Sequence, residues 1–265
     1  MERIVQRLKA CGFSDIVSIL YYQPDVIRNY FGDGSSWGIH MEHVHTGNDY
    51  GTAGAVRKAV GLTKESILVI SADIVTDFDL TGLLKFHRQK GGQATMTLTR
   101  HPHPLEYGIV ITNPDGRIER FLEKPMWGEV FSDTINTGIY ILEPDVMAQI
   151  PPETKYDFSR DLFPKILQKE FTFYGYIAQG YWKDIGNIKE YMAATMDCLN
   201  AGVNVEPAVQ TVKAAALPAS TRLEGAVVVG EGASIGEHCQ LVNSVIGAGC
   251  GIGDHCSISN SVIWD

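Results

Sequence analysis

The C-terminal part of the sequence carries an internal repeat that constrains the fold more than any other feature. Aliphatic residues recur there in steps of six, six, five, six, six and five, which is a period of 17 residues. These positions are Val229, Ile235, Leu241, Ile246, Ile252, Ile258 and Ile263. Short faces with small and aliphatic side chains turned inward are typical of a left-handed β-helix of hexapeptide repeats. We therefore predict such a helix over residues 223–265.

The same period explains two His-Cys pairs that resemble metal ligands. His238-Cys239 and His255-Cys256 are equivalent positions one coil apart, and both cysteines belong to the small residues that face inward. A structural zinc site usually takes four ligands from closely spaced loops. We therefore interpret the pairs as packing positions. The five cysteines of the chain show no disulfide spacing, which favours a reducing compartment, and we expect the cytoplasm.

Charge and hydropathy argue against two classes of partner. The formal net charge of -9 disfavours nucleic acid, because binding to the phosphate backbone draws on clustered Lys and Arg. No apolar run approaches the ~20 residues of a membrane span. A small anionic substrate remains compatible, since its site needs only one or two well-placed cations and a magnesium ion.

Residues 1–200 alternate between helical and β-rich patterns, which predicts an α/β fold with helices on both faces of a sheet. We expect strands at 15–20, 67–71, 94–99, 108–111 and 137–141. We expect helices at 2–11, from Pro24 to near Gly32, and at 79–90, 158–169 and 187–200. Residues 201–222 have no strong period and are interpreted as a linker. Because such a domain normally begins with a strand and a phosphate-binding turn, we expect a first strand to be missing upstream.

Two aspartates at predicted strand ends are candidate Mg²⁺ ligands. Asp73 follows the apolar run 67–71, and Asp184 lies in the segment from Gly180 to Gly186. Open α/β sheets place ligands beyond the carboxyl ends of strands, and magnesium sites commonly use one or two carboxylates with substrate phosphates. Each aspartate alone is better explained as a helix cap or a turn residue, and the pair together favours the metal site.

Two further segments combine residue types that suit a phosphorylated sugar or a nucleotide. Glu123-Lys124-Pro125 closes a strand-like run, so that Lys124 would neutralise a phosphate and Glu123 would accept sugar hydroxyls. An exposed charged pair before a turn is the alternative. Gly51-Thr52-Ala53-Gly54 opens a helix with small residues, which would let a flat ring or a phosphate approach the backbone.

Taken in order, these segments resemble the nucleotidyltransferases that make NDP-sugars, and within them the mannose-1-phosphate guanylyltransferases. The similar segments are Tyr22–Ile27, Tyr30–Gly34, Gly51–Val56, Asp73, Tyr107-Gly108, Glu123–Pro125, Asn136–Tyr140 and Trp182–Gly186. A C-terminal left-handed β-helix is also typical of that family.

The resemblance implies a reaction and a set of roles. A sugar 1-phosphate would attack the α-phosphate of a nucleoside triphosphate and release pyrophosphate, without a covalent enzyme intermediate. Gly51, Thr52, Ala53 and Gly54 would line the nucleobase pocket, and Asp73 and Asp184 would bind Mg²⁺. The sugar 1-phosphate would be held by Gly108, Glu123, Lys124, Asn136 and Gly138. Lys124, Asp73 and Asp184 would carry the catalysis.

The sequence departs from the family in one major respect. The family's loop of the form GGxGTRLxPLTxxxPKP, which holds the triphosphate, has no match in the chain. Loss of one such cation costs ~10³–10⁵ in rate in other phosphoryl-transfer enzymes, so we expect this chain as written to be nearly inactive. Ala72 and Tyr50 replace the family's usual glycine and leucine. The chain also stops after about two coils, so we expect it to be cut at both ends.

Several alternatives stay open at this point. A non-catalytic regulatory subunit that binds an NDP-sugar would keep the fold, although the paired aspartates and Lys124 favour the enzyme. GTP with mannose 1-phosphate fits best, while glucose 1-phosphate with uridine, thymidine, adenine or cytosine donors remains compatible. The apolar coil faces suggest a homo-oligomer that forms through the β-helix.

Overall fold

A computed structural model describes residues 1–61, 63–124, 126, 132–200, 203 and 217–264. The chain divides into two compact units. The larger unit contains Val5–Ala72 and Phe78–Gln179, and the smaller unit contains Met1–Ile4, Asp73–Asp77 and the chain from Gly180 onward. The predicted domain boundaries stay a prediction, because residues 201, 202 and 204–216 of the expected linker lie outside the described residues.

The larger unit is an α/β structure built around one mixed sheet. Its strands are β1 (Asp15–Leu20), β2 (His40–His45), β3 (Ile67–Ile70), β5 (Ala94–Arg100), β6 (Gly108–Thr112), β7 (Ile118–Glu123), β8 (Thr134–Leu142) and β9 (Phe173–Ile177). Its helices are α2 (Pro24–Phe31), α3 (Gly51–Val60), α4 (Leu80–Lys90), α5 (Pro144–Met147) and α6 (Phe163–Gln168), and α1 spans Glu2–Ala10. The predicted α/β architecture is therefore confirmed.

The long strand β8 organises the main sheet, whose order is β7-β6-β8-β5-β9 with β3 also paired to β8. β5 pairs with β8 antiparallel, while β3 and β6 pair with its two halves. The pair β5–β9 is parallel. The sheet is thus mixed, because hairpin-like connections such as the turn at Asn113–Gly116 reverse the chain between neighbouring strands.

An apolar core stabilises this sheet. It includes Met96, Leu98, Leu142, Phe163 and Phe173, all fully buried. Burying side chains of this size contributes about 1.5–3 kcal/mol each relative to exposure. The core fixes strands β6, β7 and β8, which carry several of the candidate site residues.

Strands β1 and β2 form a separate parallel pair. Among the described residues β1 pairs with β2 alone and β3 with β8 alone, so one edge of each carries no strand of the described chain. The expectation that a first strand is missing upstream stays a prediction.

The smaller unit contains a short antiparallel pair and one long helix. β4 (Ile74–Thr76) pairs with β10 (Trp182–Asp184), and α7 (Ile188–Leu199) follows, capped by the Asn187 side chain. None of the helices in the described part of the chain has the length and hydropathy that a membrane span requires.

The repeat region forms parallel pairs at the predicted spacing. Its strands are β11 (Arg222–Val229), β12 (Ser234–Ile235), β13 (Gln240–Ile246), β14 (Gly251–Ile252), β15 (Ser257–Ser259) and β16 (Val262–Ile263). Val245 pairs with Val262 and Ile235 with Ile252, which is the 17-residue offset of the sequence. The predicted aliphatic positions pack on one another, and Cys239 is buried.

The two sheets of this region do not close into a solenoid within residues 217–264. One sheet holds β11, β13, β15 and β16, and the other holds β12 and β14. Turns at Gly232 and Gly249 lie between the strands of one sheet and the strands of the other. The left-handed β-helix therefore stays a prediction.

Most predicted elements lie within one or two residues of the observed ones, and two do not. The helix predicted over 158–169 is divided into a wide π-helical turn at Phe158–Leu162 and α6, because Pro164 cannot donate a backbone hydrogen bond. The strand predicted over 137–141 begins earlier, at Thr134. The short strands β4 and β10 carry too few residues to show a period.

Candidate functional site

Asp73 and Asp184, 111 positions apart in sequence, lie on neighbouring chain segments of the smaller unit. Asp184 ends β10 and pairs with Ile74, the residue after Asp73. The Ile185 N–H donates to the Asp73 carbonyl at 2.9 Å. At the other end of this ladder the Tyr181 N–H donates to the Asp77 carboxylate at 2.6 Å. The structure thus brings together the two aspartates that the sequence singled out.

The chemistry of this pair suits a hard divalent cation. The Asp73 side chain is exposed and Asp184 is half-buried, so the carboxylates border solvent. Mg²⁺ is usually held by one or two carboxylates, with water and substrate phosphates completing its octahedral shell. Groups of three His, Cys, Asp or Glu side chains arranged for a metal do not occur among the described residues. The pair therefore fits a magnesium ion that is shared with a bound phosphate.

In the larger unit, Gly108 and Glu123 face each other across the antiparallel pair β6–β7. A Cβ atom on Gly108 would lie 2.7 Å from Glu123 Oε2 and 2.8 Å from the Phe121 ring. Only glycine leaves room for that carboxylate against the backbone of β6. Burial is the largest influence on Glu123 and raises its pKa above 4.5, although a hydrogen bond with Ser159 and the charge of Lys124 act in the opposite direction.

Lys124 has a strained backbone directly after β7. Its φ is +45°, a left-handed conformation that residues other than glycine adopt at a cost of order 1–3 kcal/mol. The Lys124 N–H donates to the Tyr107 carbonyl at 3.2 Å, which holds this conformation. Strain of this kind concentrates at functional sites, and the exposed ammonium is available to an anion. Pro125, the last residue of the predicted motif, lies outside the described residues.

Asn136 and Gly138 form a rigid turn-like feature inside β8. The Asn136 side-chain oxygen accepts from the Gly138 N–H at 3.0 Å, so that the Nδ2 group points toward Ser159 Oγ, 3.3 Å away. Gly138 has φ +77°, and a Cβ there would lie 2.9 Å from Ser71 Oγ. Asn136 is therefore oriented by its own backbone.

Three residues on the turn after Tyr156 belong to this cluster and were missed by the sequence analysis. The Asp157 carboxylate caps the turn by accepting from the N–H groups of Ser159 at 2.8 Å and Arg160 at 3.0 Å. Ser159 contacts Asn136 and Glu123, and the Arg160 charge lowers the pKa of Glu123. An aspartate two residues before Ser159 at a helix start is a recognisable capping signal that indicates this turn.

The helix start at Gly51–Gly54 is in contact with another part of the chain. A Cβ on Gly51 would lie 2.7 Å from the Tyr156 carbonyl oxygen, and one on Gly54 would lie 2.4 Å from the Thr154 carbonyl oxygen. The Gly51 N–H donates to the Asp49 carboxylate at 2.9 Å. These glycines accordingly let a protein backbone approach closely, which the sequence analysis had ascribed to a ligand.

Thr52 and Ala53 differ in their surroundings. Ala53 is fully buried in the apolar core, whereas Thr52 is exposed. The Thr52 hydroxyl donates to Asp157 Oδ2 at 2.8 Å and accepts from the Phe158 N–H at 3.0 Å. The helix expected to line the nucleobase pocket is thus hydrogen-bonded to the turn that carries Ser159.

The larger unit therefore joins Gly108, Glu123, Lys124, Asn136 and Ser159 into one polar cluster, to which Asp157 links Thr52. Asp73 and Asp184 form a separate pair in the smaller unit.

Residues 1–201 match the family model described as nucleotidyl transferase. The chain is 33% identical over 253 residues to a UTP–glucose-1-phosphate uridylyltransferase of Synechocystis, covering 87% of this chain and 65% of that protein. It is 30% identical over 254 residues to a mannose-1-phosphate guanylyltransferase of Mycobacterium tuberculosis, covering 92% and 70%. The chain thus spans about two thirds of the length of these curated relatives.

Solved structures show the same fold at low sequence identity. A putative glucose-1-phosphate thymidylyltransferase from Bacillus anthracis, solved with sucrose, superposes with a TM-score of 0.65 at 20% identity, over 73% of this chain and 79% of that one. HddC from Yersinia pseudotuberculosis superposes with a TM-score of 0.62 at 21% identity, over 72% and 82%. These similarities support a Rossmann-like nucleotidyltransferase core.

Proposed function

Since its residues 1–201 match the family model, the chain belongs to the nucleotidyl transferase family, and we propose that it transfers a nucleotidyl group to a sugar 1-phosphate. In this reaction a phosphate oxygen of the sugar 1-phosphate forms a bond to the α-phosphorus of a nucleoside triphosphate. The bond from that phosphorus to the bridging oxygen breaks, and pyrophosphate leaves with the electron pair.

The observation that carries this proposal is the polar cluster around Glu123 and Lys124. A strained lysine, a partly buried carboxylate and an asparagine fixed by its own backbone offer a cation for phosphate and acceptors for sugar hydroxyls. Lys124 binds the sugar phosphate and neutralises its charge, while Glu123 and Asn136 orient the sugar ring. Gly108 and Gly138 leave room for these groups.

Asp73 and Asp184 are the residues that would hold Mg²⁺. When bound, the ion supplies Lewis-acid neutralisation of the phosphate oxygens. The half-buried Asp184 and the exposed Asp73 lie on neighbouring chain segments that the ladder between β4 and β10 holds together. Alignment and charge neutralisation of this kind account for most of the catalysis in phosphoryl transfer.

GTP and mannose 1-phosphate are our proposed substrates. The 30% identity to a mannose-1-phosphate guanylyltransferase over 92% of the chain supports this pair. The uridylyltransferase relative, at 33% identity, makes UTP with glucose 1-phosphate the comparison pair in any assay. A non-catalytic regulatory subunit is not favoured, because these relatives are named as transferases.

We further propose that the 17-residue register of β11 to β16 extends into a left-handed β-helix through which subunits associate. The parallel pairs of Val245 with Val262 and of Ile235 with Ile252 support the helix, and Trp264, which is 70% exposed, offers apolar surface for association. Light scattering of the chain at several concentrations tests the association.

The test of the function is pyrophosphate release with Mg²⁺, each nucleoside triphosphate, and mannose 1-phosphate or glucose 1-phosphate. Because the chain contains no GGxGTR loop, a second sample carries a relative's loop segment fused before Met1. We expect release with GTP and mannose 1-phosphate in the second sample, with far slower turnover in the first. Absence of both turnover and ligand binding in the two samples would overturn the proposal.

A further inference from the structure

The Asp157 carboxylate divides its two oxygens between two parts of the larger unit. Oδ1 accepts from the N–H groups of Ser159 and Arg160, at 2.8 and 3.0 Å, and so defines the start of the π-helical turn. Oδ2 accepts from the Thr52 hydroxyl at 2.8 Å. Because a carboxylate is rigid and planar, the position of Thr52 and the position of the turn are linked through this one group.

The link is doubled by the Thr52 hydroxyl, which accepts from the Phe158 N–H at 3.0 Å while it donates to Asp157. Thr52 is the second residue of α3, the helix that the resemblance to the family places beside the nucleobase. A displacement of the start of α3 therefore changes both hydrogen bonds together. Two hydrogen bonds made by one hydroxyl transmit such a displacement better than a single contact.

On the other side, the turn is connected to the sugar-phosphate cluster. Ser159 Oγ lies 3.3 Å from Asn136 Nδ2 and is hydrogen-bonded to Glu123. The charges of Asp157 and Arg160 act on the Glu123 carboxyl in opposite directions. A movement of the turn accordingly alters the orientation of Asn136 and the electrostatic surroundings of Glu123.

We propose that Asp157 is a positioning residue that couples the nucleotide and sugar 1-phosphate sites, so that occupation of one raises the affinity of the other. This inference rests on the proposed function of the chain. A nucleotide that orders the start of α3 orders Thr52, and through Asp157 it fixes Ser159 in the position that orients Asn136 and Glu123. By linkage, the sugar 1-phosphate strengthens nucleotide binding by the same factor.

The experiment is calorimetric titration of mannose 1-phosphate into the full chain with Mg²⁺, without and with saturating α,β-methylene GTP, which cannot transfer its nucleotidyl group. Glucose 1-phosphate with α,β-methylene UTP is titrated in parallel. The coupling factor is the ratio of the two dissociation constants, and couplings between sites typically amount to ~5–150-fold. We expect at least ~5-fold in the wild-type chain.

Thr52→Val and Asp157→Asn test the path. Thr52 is exposed, so its substitution leaves the core intact, and Asn at 157 keeps an oxygen to cap the turn. We expect each substitution to lower the coupling factor to about 1, and the double variant to have no lower factor than either single variant. Thr52→Ser, which keeps the hydroxyl, should retain the coupling factor of the wild-type chain. Thr172→Val is the matched control, because its hydroxyl also donates to a side-chain oxygen and accepts a backbone N–H, both from Gln93.

The outcomes separate the two proposals. Coupling that persists in Thr52→Val and Asp157→Asn while both ligands bind overturns the role of Asp157 and leaves the proposed function standing. Coupling lost equally in Thr172→Val also overturns it. If the wild-type chain and the chain carrying the fused loop bind neither ligand, the proposed function and the coupling fail together. A simple loss of stability would weaken the binding of mannose 1-phosphate both without and with the nucleotide, and the ratio of the two dissociation constants would not move toward 1.

Discussion

The Gly54 N–H donates to the Tyr156 carbonyl at 2.9 Å, and this bond replaces the first helical hydrogen bond of α3. In a regular α-helix that N–H would donate to the carbonyl of Tyr50, four residues earlier. Here the Tyr50 carbonyl accepts from the Tyr156 N–H at 2.9 Å. The backbone N–H and carbonyl of Tyr156 are therefore inserted between the Tyr50 carbonyl and the Gly54 N–H, and they form a hydrogen bond with each.

Ion pairs support this insertion. Lys58 and Tyr50 both bind Glu153, and Lys155 binds Asp49. These side chains are largely exposed, so each pair contributes little to stability. The backbone bonds of Tyr156, together with the space that Gly54 leaves, determine the arrangement.

Substitution of Gly54 by alanine tests the insertion. Helix propensity alone favours alanine by about 1 kcal/mol. A Cβ at this position would lie 2.4 Å from the Thr154 carbonyl oxygen, which is backbone and cannot turn aside. Overpacking of this kind costs about 1–3 kcal/mol, so we expect Gly54→Ala to lower the free energy of unfolding in urea. Gly253→Ala, whose Cβ meets nothing within 4 Å, is the control, and a stabilised Gly54→Ala would contradict the insertion.

Substitution of Lys124 by glycine separates stability from binding. Glycine adopts φ +45° without strain, and relief of left-handed strain outweighs the greater freedom of glycine in the unfolded chain. We expect the free energy of unfolding to stay constant or rise by up to about 1 kcal/mol. The affinity for mannose 1-phosphate should fall at least ~10-fold, because a charge-assisted hydrogen bond contributes about 1.5–3 kcal/mol.

The control for this variant is Glu170→Gly, because Glu170 has φ +58° and lies in the turn that follows α6, outside the polar cluster. It should show the same change in stability and unaltered affinity for the sugar 1-phosphate. Equal affinity in Lys124→Gly and the wild-type chain would remove Lys124 from the phosphate site.

Most elements of this fold were predictable from local sequence, whereas several contacts of the site were not. Pro24 and Gly32 mark the ends of α2 because one fixes φ and the other adopts φ +57° without strain. The pairing of Asp73 with Asp184 was suggested by the resemblance to the family. The insertion of Tyr156 at Gly54 depends on two segments about 100 residues apart, and a glycine shows only that space is needed.

The β-rich runs also left the strand order open. Alternation of helices and strands predicts a parallel sheet, but β8 is nine residues long and pairs antiparallel with three neighbours. Side chains on both faces of a central strand are apolar in either direction, so the apolar run does not distinguish the two arrangements. The strand register of the C-terminal repeat was easier to predict, because a 17-residue period specifies which residues pair.

The hydrogen bonds of Glu143 predict a pH-dependent contribution to stability. Burial raises the pKa of Glu143, but bonds with His87 at 2.9 Å and with Ser66 outweigh it and hold the pKa below 4.5. Because the folded pKa is the lower one, this stabilisation is fully present above pH 4.5 and is lost as the pH falls through the folded value.

We expect Glu143→Gln to be less stable than the wild-type chain in urea at neutral pH, with the difference narrowing below pH 4.5. Glu119→Gln, which changes an exposed carboxylate on β7, supplies the comparison. A difference between Glu143→Gln and the wild-type chain that stays constant from pH 7 to pH 3.5 would show that the Glu143 carboxylate does not stabilise the fold through these bonds.

The metal pair predicts a specific response to carboxylate removal. The hydrogen bond from the Ile185 N–H to the Asp73 carbonyl and the pairing of Asp184 with Ile74 involve backbone groups only. Asp73→Asn and Asp184→Asn therefore leave the β4–β10 ladder in place. Even the loss of an outer partner of a metal ligand costs ~10–100-fold in affinity, and we expect each variant to lose at least ~10-fold. Mn²⁺ serves as the probe because it prefers the same oxygen ligands and enhances water proton relaxation.

The titration is made with GTP present, since the third ligand to the ion is a phosphate oxygen in our proposal. Asp115→Asn, which changes an exposed carboxylate in the turn between β6 and β7, controls for the loss of one negative charge. Weakened Mn²⁺ binding in Asp73→Asn and Asp184→Asn, with Asp115→Asn unchanged, supports a shared site. If Asp73→Asn weakens Mn²⁺ binding and Asp184→Asn does not, Asp184 is not a metal ligand, and the ion is held by the Asp73 carboxylate and the phosphates.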